Sequence, residues 1–166
     1  MRLERARVAD AEAVAVAVGE SLDHLRPWMP WATEEAATVE GQLEYLGRAQ
    51  GMWEEGTDFG FVLRSGGPEV LGTCGLHRRV GPRAIEIGYW LHPDHTGHGL
   101  ITTAARALGD VALALPDVDR VEIHCDEANH RSAAVPRRLG YRLDRVEDDG
   151  VEAPGESGRG MVWVTA

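Results

Sequence analysis

The chain has 166 residues, 43% of them apolar, which is one ordinary domain's worth of material. With 17 Lys and Arg against 27 Asp and Glu, its formal charge is −10. That excludes a general nucleic-acid binder, since phosphate neutralisation needs clustered cations, and favours cationic partners such as amines.

Residues 2–8, RLERARV, alternate in character and predict a first strand. Asp10 is placed to cap an Ala-rich helix running to about Glu20. Arg2, Arg5 and Arg7 precede the apolar run AVAVAV (13–18), but Glu4, Asp10 and Glu12 interrupt it, and it is too short for a signal peptide. No segment reaches transmembrane length, so a cytoplasmic chain with no membrane partner is expected. LRPWMPW (25–31) is a Pro-broken loop, and Thr33, with Glu34 and Glu35 behind it, opens a second helix that fades at Gly51 to Gly56.

DFGFVLR (58–64), EVLGTCGLHR (69–78) and AIEIGYWL (84–91) read as three strands joined through SGGP and VGPR turns. The third is apolar on both faces and belongs in the sheet centre. A glycine-containing loop then leads into a helix from about Gly99 to Leu115, stopped by Pro116. RVEIHC (120–125) is a strand, and Asn129 caps a short helix that ends at Gly140. YRLDRV (141–146) and MVWVT (161–165) complete the sheet around a long acidic loop at 147–160, expected to be structureless. Cys74 and Cys125 fall in strand-like stretches without CxxC spacing and read as buried thiols in a reducing compartment. Residues 1–166 thus form one α/β domain, a mixed sheet flanked by helices.

The stretch HPDHTGHGLITTA (92–104) sits between a strand and a helix. Gly97 and Gly99 let backbone N–H groups turn toward a ligand, and the following helix adds the positive end of its dipole. Together they make an anion site that needs no Lys or Arg, although a plain turn would look the same. A P-loop sequence is absent, and a dinucleotide fingerprint fails at Thr102. His92, His95 and His98 recur every three residues, but Pro93 and Gly97 break the segment, so no metal site is expected.

Two segments together, EIGYWLHPDHTGHGLITTA and NHRSAAVPRRLGYR, resemble the GNAT superfamily of acyl-coenzyme A N-acyltransferases, and most closely its Rim-type ribosomal-protein N-terminal acetyltransferase branch. LRPWMPW resembles that branch's acceptor-side loop. The resemblance implies a single-domain GNAT fold with a mostly antiparallel mixed sheet of about seven strands and about four helices. It also implies acetyl-coenzyme A as co-substrate, an amine acceptor (a protein N-terminus or a small molecule), no metal and no nucleic acid, and it leaves a homodimer open. The family's loop pattern is Gln or Arg, two free positions, Gly, one free position, then Gly or Ala. Here it falls on Thr96, Gly97, His98, Gly99, Leu100 and Ile101, departing at Thr96 and Ile101. The resemblance assigns the pyrophosphate to N–H groups from Gly97 to Thr102, and the pantetheine arm to the backbone of Trp90 and Leu91 and to Asn129. A backbone N–H near Trp90 is assigned to the oxyanion.

Acyl transfer to an amine needs a neutral amine, a stabilised oxyanion and a protonated leaving thiolate. Glu86 is the candidate base: it is the lone charge in an otherwise apolar strand, and burial raises a carboxylate's pKa. A solvent-facing or Arg-paired Glu is the alternative. Ser132, in the N-x-x-S pattern after Asn129, is the candidate acid. The Tyr that many relatives carry seven residues after the Asn is Pro136 here. Trp28 and Trp31 are placed to line the acceptor pocket, and Asp148, Asp149 and Glu152 to form an acidic rim. A non-catalytic acyl-coenzyme A sensor, or transfer of another short acyl group such as succinyl, would fit the same pattern.

Overall fold

The computed structural model describes residues 1–165. Strands β1 (Arg2–Arg5), β2 (Asp58–Arg64), β3 (Gly72–His77), β4 (Ala84–Leu91), β5 (Arg120–Asp126), β6 (Arg142–Asp148) and β7 (Arg159–Val164) form one seven-stranded sheet in the order β1-β2-β3-β4-β5-β7-β6. All neighbours are antiparallel except β4 and β5, which run parallel. The helices are α1 (Ala11–Leu25), α2 (Val39–Glu55), α3 (Leu100–Leu113) and α4 (His130–Leu139).

β4 is central, as its apolar run predicts. Ile85, Ile87 and Leu91 pack with Ala104, Ala105 and Leu108 of α3. Trp90 points the other way, into a cluster with Val62 and with Val14, Val18 and Leu22 of α1. Ile85 and Ile87 are both essentially sealed from water, a burial worth about 1.5–3 kcal/mol per side chain.

Several boundaries differ from the sequence reading for local reasons. β1 stops at Arg5 because Val8–Asp10 form a 3-10 turn. Asp10 does not cap α1; its carboxylate accepts the Arg7 N–H at 2.8 Å and pairs with Arg64 at 2.6 Å. α1 continues past Glu20 to Leu25, with the Ser21 hydroxyl donating to the Ala17 carbonyl at 2.6 Å. The Thr33 hydroxyl oxygen accepts the Ala36 N–H at 3.2 Å beside a 3-10 turn at Glu35–Ala37, and the true N-cap of α2 is Thr38, whose hydroxyl oxygen accepts the Gly41 N–H at 3.0 Å. α2 runs through Gly51 to Glu55, and Gly56 ends it in the left-handed region at φ 74.

The acidic loop is not structureless. β6 extends into it as far as Asp148. The Asp126 carboxylate accepts N–H groups from Ser157, Gly158 and Arg159, and the Gly155 N–H donates to the Pro27 carbonyl at 2.8 Å. A methyl group at Gly155 would stand 2.5 Å from that carbonyl oxygen, so only glycine permits the approach. The loop is thereby tied to the Pro-broken segment that carries the two tryptophans.

The parallel pairing of β4 and β5 sets up the site. It covers only Ala84↔Arg120, Ile85↔Val121 and Glu86↔Glu122. Beyond Glu86 the strands part, while β4 continues to Leu91 and β5 to Asp126. A sheet split at its centre exposes backbone that needs a partner.

Candidate active site

The His92 N–H donates to the Leu71 carbonyl of the β3 side at 2.8 Å. Antiparallel alternation then turns the Trp90 and Gly88 amides toward β3 and those of Tyr89 and Leu91 into the gap. This corrects the expectation for Trp90, whose backbone is spent on Thr73, its register partner. Tyr89 and Leu91 are the residues whose N–H and C=O can pair with an extended ligand as an added strand.

The gap leads to the glycine loop. Gly97 and Gly99 have φ of 82 and 73, and no atom lies within 4 Å of where either would carry a Cβ. Glycine is needed here for conformation, not for lack of room. The first N–H to find a backbone acceptor at the start of α3 is that of Thr103, which donates to the Gly99 carbonyl at 2.9 Å. The N–H groups of Leu100, Ile101 and Thr102 are therefore free to meet an anion. Thr96 folds back on its own turn, its hydroxyl donating to the Pro93 carbonyl at 2.8 Å. Ile101 packs into the core, so its departure from a small residue does not obstruct the loop. His98 is exposed.

A cleft of about 500 Å³ opens over the loop, lined by Gly97, Gly99, Thr102, Thr103, Arg106 and Arg138. The two arginines were missed in the sequence. Arg106 lies seven residues past Gly99 on α3, hence two turns along roughly one face, which is the signal that could have found it. Arg138 comes from α4, and no sequence spacing links it to the loop. Replacing both with Ala should weaken coenzyme A binding about tenfold, roughly 1.4 kcal/mol, and flatten its salt dependence. Calorimetric titration at two ionic strengths checks this.

At the other end of the gap stands the first turn of α4. The Asn129 side-chain oxygen accepts the Ser132 N–H at 3.1 Å, so the capping role holds. Pro136 lies inside α4, four residues after Ser132, and has no N–H for the Ser132 carbonyl. Tyr89 supplies the missing donor: its phenol is 3.2 Å from that carbonyl and 3.1 Å from the Ser132 hydroxyl. Tyr89 is a third residue that the sequence does not single out, since it reads there only as part of an apolar strand. Burial pushes the phenol pKa up, so it remains a donor. Cys125 lies beside Ser132, its thiol pushed up to about 11 by burial. Both cysteines are free thiols.

On the opposite face of β4, Glu86 is buried, its side chain only 9% exposed. Burial alone would raise its pKa, as expected from the sequence, but Arg79 grips both oxygens, at 2.7 and 2.8 Å. The net shift is downward, so the expected raised pKa is corrected. Trp31 lies 6.2 Å from Trp90 on this side and is 42% exposed, whereas Trp28 is half-buried in the turn after α1. Asp149 and Glu152 are exposed loop residues, while Asp148 belongs to β6. Among the described residues no group of three His, Cys, Asp or Glu is placed to hold a metal, and none of the helices is long and apolar enough to cross a membrane.

The family model described as acetyltransferase (GNAT) domain matches residues 1–142. The chain belongs to the GNAT acetyltransferase family. It is 30% identical to a putative ribosomal N-acetyltransferase, YdaF, of Bacillus subtilis, over 88% of this chain and 80% of that protein. It is 33% identical to the ribosomal-protein-serine acetyltransferase of Escherichia coli, over 46% of this chain and 43% of that one. Its fold matches a ribosomal L7/L12 α-N-protein acetyltransferase solved with coenzyme A, with a TM-score of 0.89 at 20% identity over 98% of this chain and 92% of that one. The ribosomal-protein-S5-alanine acetyltransferase of Vibrio fischeri matches at 0.88 and 20%, over 98% and 91%.

In this GNAT enzyme the Glu86–Arg79 pair has a consequence for stability. With its pKa held below the ordinary 4.5, Glu86 stabilises the fold above that value, and the contribution is lost as pH falls through the lowered pKa. Arg79→Ala removes the main group opposing burial and leaves only the weaker fields of His124 and His77, so the folded pKa moves upward instead. The variant should then lose stability as pH rises above 4.5, reaching a deficit of about 3 kcal/mol at neutrality, the low end of what removing one partner of a buried pair costs. Thermal melts of both proteins from pH 4.5 to 8 check the divergence.

Proposed function

We propose that this GNAT enzyme moves the acetyl group of acetyl-coenzyme A directly onto the α-amine of a protein N-terminus, within a ternary complex. The observation that carries the reading is the gap between β4 and β5, which runs from the free N–H groups above Gly97 and Gly99 to Ser132. The pyrophosphate lies on the loop, and Arg106 and Arg138 add the positive charge that an acidic chain otherwise withholds. The pantetheine pairs with Tyr89 and Leu91 and passes Asn129. The N–H of Tyr89 or Leu91 meets the oxyanion, and Ser132 donates to the departing sulfur. Glu86, held ionised by Arg79, draws the positively charged amine to Trp31 and Trp90 (with Trp28 in the same loop).

An α-amine suits this arrangement because its reference pKa is about 7.7–8.0, against about 10.4 for lysine, so little help is needed to neutralise it. The names of the B. subtilis and E. coli relatives point to ribosomal-protein acceptors. All 17 basic residues of this chain are arginines, so no lysine ε-amine on the enzyme competes as acceptor. The test begins with thermal unfolding beside acetyl-coenzyme A, coenzyme A, NADH and ATP. Stabilisation by the two coenzyme A species alone supports the donor site. Free-thiol release with peptides bearing an unblocked N-terminal serine or alanine then supports the acceptor. Binding without turnover on any amine returns the protein to the sensor class, and turnover only on small amines overturns the protein acceptor.

A further inference from the structure

On the acceptor face of the sheet, two cross-strand rows lie side by side. The register aligns Asp58, His77, Glu86 and Glu122 from β2, β3, β4 and β5, and next to them Gly60, Gly75 and Gly88. The glycines form a trough across three strands, and the His77 imidazole lies in it. A methyl group at Gly88 would come within 3.0 Å of His77 Nε2, and one at Gly75 would come equally close. Asp58 binds the other ring nitrogen, Nδ1. Nε2 makes no hydrogen bond to a described residue, and the side chain is 20% exposed.

We infer that His77, oriented by Asp58, is the catalytic base that takes the proton from the acceptor amine, which deepens the amine-transfer reading and rests on it. A carboxylate on Nδ1 fixes the tautomer that leaves Nε2 bare, the arrangement a general base needs. The bare nitrogen stands over Gly88, one residue before Tyr89, whose amide enters the gap. Glu86 is the poorer proton acceptor, because both its oxygens are held by Arg79. The two proton transfers fall on opposite faces of β4: His77 on the amine side, Ser132 and Tyr89 on the thiolate side. An incoming ammonium gives one proton to Nε2. The neutral nitrogen attacks the thioester carbon, the C–N bond forms, and the C–S bond breaks with its electron pair going to sulfur. The second nitrogen proton passes to water as the amide forms, while the Ser132 hydroxyl gives its proton to the thiolate and is reprotonated from solvent.

The titratable and charged groups around the dyad are Tyr45 of α2, a neutral phenol that faces Asp58, the Arg79–Glu86 pair, and on β5 Glu122 with Arg120 and His124. The experiment compares wild type with His77→Gln, Asp58→Asn, Gly88→Ala and Glu86→Gln. It uses a lysine-free peptide with an N-terminal serine and saturating acetyl-coenzyme A from pH 6 to 9. His77→Gln should lose at least about 100-fold in kcat at pH 6.5, with acetyl-coenzyme A affinity unchanged. That gap should narrow as pH passes the amine's own pKa of about 7.7–8.0. Gly88→Ala, which displaces the ring without removing it, should follow the same profile. Glu86→Gln should raise the peptide KM without producing this profile. A gap independent of pH, or a loss of kcat matched by loss of acetyl-coenzyme A binding, overturns the inference. Ring-nitrogen NMR at pH 8 gives a readout that needs no acceptor: Nδ1 should carry the proton and Nε2 be bare, and the reverse tautomer overturns the base assignment. Wild type that binds acetyl-coenzyme A but does not turn over the peptide overturns the acceptor reading, and the tautomer then judges the dyad by itself.

Discussion

Ser132→Ala is expected to lower kcat by about 100-fold or more, the usual worth of a positioned acid, while acetyl-coenzyme A binds as before. The substitution leaves the helix start intact, because Asn129 caps through the residue 132 N–H and not through the hydroxyl. It also leaves the carbonyl of residue 132 paired with Tyr89. Melting temperature should therefore hardly move while turnover collapses. Tyr89→Phe should do the reverse. It strips the donor from a carbonyl that Pro136 has already orphaned, at a cost of about 1–3 kcal/mol for an unpaired buried group, so stability falls and the rate falls less than in Ser132→Ala. Steady-state thiol release and thermal melts on both variants separate chemistry from scaffold. Equal rates for Ser132→Ala and wild type would remove Ser132 from the mechanism.

Much of the fold was legible in the sequence because its signals are local. The apolar run at 84–91 has no face to give to water, so it lies in the centre of the sheet. Gly140, after α4, takes the left-handed conformation expected of a helix stop. The errors arose where one side chain had two possible partners. Asp10 has the composition of a cap, but Arg64, far along the chain, claims its carboxylate. Thr33 and Thr38 both carry cap chemistry, and only the turn between them decides which starts α2. The acidic loop looked free because its anchor, Asp126, belongs to another strand.

The site was legible in outline and not in its couplings. The paired glycines and the Asn-to-Ser spacing stand out in one dimension. Which β4 amides face the gap is a matter of strand parity, fixed only by the register with β3, and a shift of one residue exchanges Trp90 for Tyr89 and Leu91. Glu86 was found, but its pKa was misjudged. Burial was readable from its apolar neighbours, whereas the grip of Arg79 depends on how the β3–β4 turn folds. The dyad of Asp58 and His77 was invisible for the same reason: residues 19 apart become neighbours only through register.

Gly97→Val combined with Gly99→Val is expected to weaken acetyl-coenzyme A binding by about 30- to 1,000-fold. Both glycines sit in the left-handed region, where a residue with a Cβ costs about 1–2 kcal/mol and a β-branched one fits worst. The two together add about 2–4 kcal/mol, and each 1.4 kcal/mol is tenfold. The loop of the variant can relieve that strain by leaving its conformation, which points the Leu100, Ile101 and Thr102 amides elsewhere. Binding must then restore the strained form, so the cost appears in affinity and little of it in the free protein's stability. Space is not the issue, since no atom lies within 4 Å of either added Cβ. Titration of acetyl-coenzyme A into the double variant, with its melting temperature alongside, tests both halves. Affinity within threefold of wild type would mean that the anion is held by Arg106 and Arg138 instead of the loop amides. Lost affinity with an intact melt would place it on the backbone, which is how a chain of charge −10 can hold a pyrophosphate in a loop that contains no lysine or arginine.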